Sequence, residues 1–68
     1  MGPATGTVVE FDDHKGYGVV RSDDGEDHFF HCTAVADGTR TIAVGTRVSF
    51  DVVAGRRGRW EAADLRPT

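Results

Sequence analysis

A disulfide framework is excluded at once, because the chain has a single cysteine, Cys32. A surplus of positive charge is missing too. Lys and Arg number 8 against 11 Asp and Glu, for a net charge of −3, so the chain does not grip an anionic polymer by bulk electrostatics. No segment approaches the roughly 18 apolar residues of a membrane span. The opening "MGPATG" has neither the basic region nor the apolar stretch of a secretory signal. Gly2 does not begin a myristoylation motif, since Gly6 stands where that motif needs Ser or Thr. These absences predict a soluble, cytoplasmic protein without a membrane partner. At 68 residues there is room for one domain, residues 1–68, and one small core, with no deep catalytic cleft.

What is present is a regular punctuation of turns. "DDHKG", "SDDGE", "ADGTR", "VGT" and "AGRRGR" separate short runs rich in β-branched and aromatic residues, the spacing of an all-β sandwich or barrel. The runs predict strands over Thr5–Asp12, Tyr17–Arg21, Asp27–His31, Arg47–Ala54 and Trp60–Leu65, with a single helical turn in "TAVADG". Alternation then assigns faces. Tyr17, Val19 and Arg21 share one side of their strand, and Asp27, Phe29 and His31 one side of the next. If "SDDGED" is the hairpin loop between them, Tyr17, Phe29 and His31 form one outward patch, and Val20 and Phe30 point inward. In the fourth strand Val48, Phe50 and Val52 make the core face. Two signs of charge are also segregated: acids in "DD" at Asp12 and Asp13 and in "DDGED", arginines at Arg56, Arg57 and Arg59.

In order along the chain, "GTVVEFDDHKGYGVV", "DDGEDHFFH", "GTRTIAVGTRVSFDV" and "EAADL" resemble a cold-shock domain from Gly6 to Leu65. "KGYGVV" is similar to that family's first ribonucleoprotein motif and "HFFH" to its second. The resemblance implies a five-stranded antiparallel OB-fold barrel that binds single-stranded RNA or DNA as a monomer, with no cofactor. It also implies roles: Tyr17 and Phe29 as central stacking residues, His31 stacking or hydrogen-bonding a base, Lys15 on phosphate, and Phe11 extending the platform. Physical chemistry agrees, because unpaired bases expose π faces that aromatic side chains can stack.

The departures from the family pattern all point one way. Glu10 replaces a stacking Trp, Val9 a Lys and Val19 a second aromatic ring, while Cys32 and Thr39 stand where Phe is common. The loop "AGRRGRW" is one residue longer than the family's. Arg57, Arg59 and Trp60 are candidate compensating contacts, although Trp60 reads equally well as core packing and the arginines as a solvated loop.

Other chemistries fit poorly. His28, His31 and Cys32 lie close in sequence, but the two imidazoles alternate to opposite faces of a strand and cannot close on one metal ion. His28 reads as a partly buried, hydrogen-bonded imidazole at the barrel edge. No nucleophile with a base and no paired carboxylates in a pocket suggest an enzyme or a small-molecule substrate. The competing expectation is a diverged barrel whose thinned aromatic face has given way to a protein partner.

Overall fold

The computed structural model describes residues 4–36, 38–55 and 60–68. Five strands form: β1 (Ala4–Asp12), β2 (Tyr17–Ser22), β3 (Asp27–His31), β4 (Arg47–Ala54) and β5 (Trp60–Pro67). They close into a barrel in the order β1-β2-β3-β5-β4. The all-β barrel expected from the turn spacing is therefore present, with one refinement. Every neighbouring pair is antiparallel except β3 and β5, which run parallel and meet at Phe29 and Glu61. The exception is a matter of parity, since directions cannot alternate all the way round a ring with an odd number of strands. The helical turn forms at Cys32–Ala34, slightly ahead of its expected place, and is a 3₁₀ turn.

The core consists of Val8, Val20, Phe30, Val35, Val48, Phe50, Ala62 and Leu65, with Ala4, Phe11, Ala34 and Ile42 packed against it. The β2–β3 register pairs Tyr17 with His31, Val19 with Phe29 and Arg21 with Asp27, so the expected outward and inward faces both hold. Between these strands the loop is closed by Gly25 at φ 94° and by Asp24, whose carboxylate accepts from the Glu26 amide and the Ser22 hydroxyl.

Two register shifts alter what simple alternation predicts. In β1 Val9 is an extra residue: Val8 faces Val20, yet Glu10 faces Val19. A bulge of this kind turns the following side chains over. Glu10 thereby joins the outward face, while Phe11, opposite Gly18, turns toward the core and stacks on Phe30 at 5.9 Å with rings 8° apart. Gly18 is required there, because a Cβ would lie 2.7 Å from Phe30 Cζ and 2.9 Å from Phe11 Cδ1.

The second shift lies between β4 and β5. Ser49 faces Arg66 but Asp51 faces Ala63, and Asp64 takes φ 55° to absorb the extra residue. Among the described residues β1 pairs with β4 from Thr7 and Arg47 to Ala4 and Phe50. Val52 keeps the core side of β4 that alternation predicts, opposite buried Ala62, but it is 37% exposed and lies outside the buried core.

His28 also departs from expectation. Its ring is buried and tilted on Phe50 at a centroid distance of 5.8 Å, but Nδ1 has no hydrogen-bond partner among the described residues.

Candidate functional site

Tyr17, Phe29 and His31 converge on the outward face of β2 and β3. Tyr17 sits directly across from His31, and its ring meets Phe29 edge-on at 6.2 Å and 76°. Tyr17 is 38% and Phe29 44% exposed, which is surface a hydrophobic core would have taken had it been able to. These side chains, with Phe30 and Glu61, line one shallow recess.

The rings are held from behind and from the side. Each exposed ring neighbours a buried residue of its strand, Gly18 after Tyr17 and Phe30 after Phe29. His31 caps the 3₁₀ turn, and the Thr33 amide donates to its Nδ1 at 3.3 Å. A nitrogen that accepts this bond is unprotonated, so in the neutral ring Nε2 carries the hydrogen and is the donor left for a ligand. Thr33 Oγ1 lies 2.9 Å from the same Nδ1.

Lys15 is exposed in the β1–β2 turn next to Tyr17. The turn is built on Asp12, whose carboxylate accepts from the His14 and Lys15 amides at 2.9 and 3.0 Å, and Gly16 closes it at φ 74°. Of the other cations on this face, Arg21 is already engaged by Asp27 at 2.8 Å, and that pairing holds the Asp27 carboxyl below its ordinary range.

Phe11 falls in a different recess, with Asp13 and the 41–44 segment, beside the platform but outside the Tyr17 and Phe29 group. Trp60 is 61% exposed, which removes the core-packing alternative. It pairs with Ala54 at the start of β5, and alternation puts it on the side of Ala62, away from Glu61. Arg57 and Arg59 lie outside the described residues.

Sequence reasoning missed Glu61. The β3–β5 register makes it the direct neighbour of Phe29, and it walls the same recess. Its carboxyl folds over Gly55, where a Cβ would collide with Glu61 Cγ, Cδ and Oε2. Gly55, directly after β4, is the sequence trace of this placement.

A family profile described as the 'Cold-shock' DNA-binding domain matches residues 4–68. The chain is 43% identical over 62 residues to cold shock protein CspC of Bacillus subtilis, covering 90% of this chain and 92% of that one. It is 47% identical over 57 residues to cold shock-like protein CspA of Stigmatella aurantiaca, covering 81% and 84%. Glycine-rich protein 2 of Nicotiana sylvestris is 44% identical over 64 residues, 91% of this chain but 30% of that longer protein. Among solved structures, Drosophila Unr CSD456 superposes with a TM-score of 0.81 at 26% identity, over 98% of this chain and 27% of that one.

Proposed function

The chain belongs to the cold-shock domain family, and from that premise we propose that it binds single-stranded RNA or DNA by stacking bases on Tyr17, Phe29 and His31. The observation that carries this reading is the exposure of these side chains, side by side, on one face of a sheet. Lys15 contacts phosphate from the turn, and Arg57, Arg59 and Trp60 supply a second, peripheral contact. Stacking tolerates any base, so sequence preference is low. The biological role that follows is that of a passive, monomeric RNA chaperone in the cytoplasm: it traps unpaired bases and so disfavours hairpins, with no cofactor and no chemistry on the ligand.

Titration with a labelled heptathymidine tests the reading. Phe29→Ala should weaken binding by about 1 to 3 kcal/mol, the contribution of one stacked base, while Thr68→Ala changes little. Unchanged affinity in Phe29→Ala would move the site elsewhere. A wild-type protein that binds no single strand would instead favour a protein-interaction role, for which the exposed Val52, Val53 and Trp60 at the β4–β5 rim are the candidate surface.

A further inference from the structure

The platform is crossed by one continuous row of side chains. Glu10 pairs with Val19, Val19 with Phe29, and Phe29 with Glu61, so four strands place these residues in line on the outward face. Across these four strands an aromatic ring and a small aliphatic residue are flanked by two carboxylates, and Val53 of β4 continues the row beyond Glu61. Other acids on and around this face are occupied: Asp12 holds the turn amides, Asp27 holds Arg21 and Asp23 holds Arg47. Glu10 and Glu61 have no hydrogen-bond or ion-pair partner among the described residues.

A base stacked on Phe29 can send its edge along this row in two directions, toward Glu61 or across Val19 toward Glu10. Both lead to a carboxylate, whose charged form accepts hydrogen bonds and donates none. Uracil and thymine present two carbonyl oxygens around a single N–H, so a carboxylate facing them meets repulsion beside any bond it makes. Guanine presents N1–H and the N2 amino group side by side, the pair of parallel donors that one carboxylate takes up in bidentate fashion. The same acids repel phosphate, which leaves the base edge as the part of a strand that this row can attract.

We infer that Glu10 and Glu61 make the platform select guanine over uracil or thymine at the base stacked on Phe29. This rests on the single-strand reading above and adds one discriminating position to a surface that is otherwise tolerant.

The test uses heptathymidine and seven variants of it, each with one guanine at a successive position, titrated at a single salt concentration. One position should gain about tenfold or more in affinity, the scale of a bidentate contact to a base edge. Inosine at that position, which lacks the N2 amino group, should lose most of the gain. Glu10→Gln with Glu61→Gln should bind heptathymidine more tightly and erase the preference, and the single variants identify the glutamate responsible. Equal or tighter binding of heptathymidine than of every guanine variant would overturn the inference while leaving the stacking reading intact. So would a guanine preference that survives in the double variant. Failure of the wild type to bind any of the eight strands would overturn both.

Discussion

The outward face of β2 and β3 and the end of the β4–β5 pairing both expose apolar side chains, and they hold them differently. On the outward face of β2 and β3, Tyr17 and Phe29 alternate with buried Gly18 and Phe30, so each exposed ring is anchored by a neighbour inside the barrel. At the β4–β5 end, Val52 and Val53 are 37% and 40% exposed on opposite sides of β4, Val52 beside buried Ala62 and Val53 beside Glu61. The first surface is a packed sheet face with fixed ring geometry. In the second the two valines share no face, and each lies beside a single β5 partner. Exposure alone does not distinguish them; the register does, and a rigid array of rings is what stacking requires.

The sharpest way to break the comparison is to remove the anchor. Phe30 is 1% exposed and stacks on Phe11, so Phe30→Ala should destabilise the domain by about 3 to 5 kcal/mol, much of the margin of a fold this small. Phe29→Ala, one residue away, should leave the melting temperature nearly unchanged. Thermal unfolding of the two variants side by side checks the contrast, and a Phe29→Ala protein as unstable as Phe30→Ala would mean that the platform ring is structural after all.

A smaller effect is expected from restoring what the row lacks. Glu10 lies two strands from Phe29 on the same face, so Glu10→Trp removes a charge from the phosphate path and adds a ring beside Val19. Binding of heptathymidine should tighten, by about the 1 to 3 kcal/mol of a stacked base. Calorimetric titration giving equal or weaker affinity, with the fold intact, would mean that β1 does not meet the ligand. This same glutamate shows where sequence reading succeeds and where it stops. The β2 and β3 faces were legible because those strands have no bulge and alternation runs unbroken from Tyr17 to Arg21 and from Asp27 to His31. Alternation fails where one extra residue enters a strand. The bulge at Val9 takes Phe11 into a neighbouring recess, and the shift opposite Ser49 and Asp51 adds a residue to β5 at Asp64. Glu61 reaches Phe29 through the parallel pairing of β3 with β5, a register set by closure of the whole ring and not by any local pattern.

The rim offers a weaker test through Trp60, the only tryptophan. Its 61% exposure predicts red-shifted emission in the free protein. If the rim is a peripheral contact, titration with heptathymidine should quench that emission in step with binding followed by an independent label. Because Trp60 lies on the Ala62 side of β5, the quench should be partial, and Phe29→Ala should weaken the affinity it reports. A flat signal at saturation would confine the site to Tyr17, Phe29 and His31.

The smallest effect concerns the end of the barrel where β1, β4 and the β2–β3 loop meet. Arg47 clasps Asp23 with bonds of 2.6 and 3.0 Å, and the Thr5 hydroxyl donates to the same carboxylate at 2.7 Å. The Arg47 and Thr5 hydrogen bonds hold the Asp23 carboxyl down at about 2, below the 3.8 of an unperturbed side chain. In the unfolded chain Asp23 takes up its proton near the ordinary value, so between about pH 4 and pH 2 the unfolded state binds more protons than the folded one and acid favours unfolding. The contribution is therefore complete above pH 4 and disappears as pH falls through about 2. Asp23→Asn keeps the size of the side chain but removes the charge that Arg47 pairs with. Its melting temperature should lie slightly below the wild type near neutral pH, by a margin that shrinks in high salt because the pair is exposed. Melting curves collected from pH 6 to pH 2 should show the two proteins converging across that acid window. A gap that stays constant down to pH 2 would mean that the clasp acts through the shape of the loop and not through the charge on Asp23.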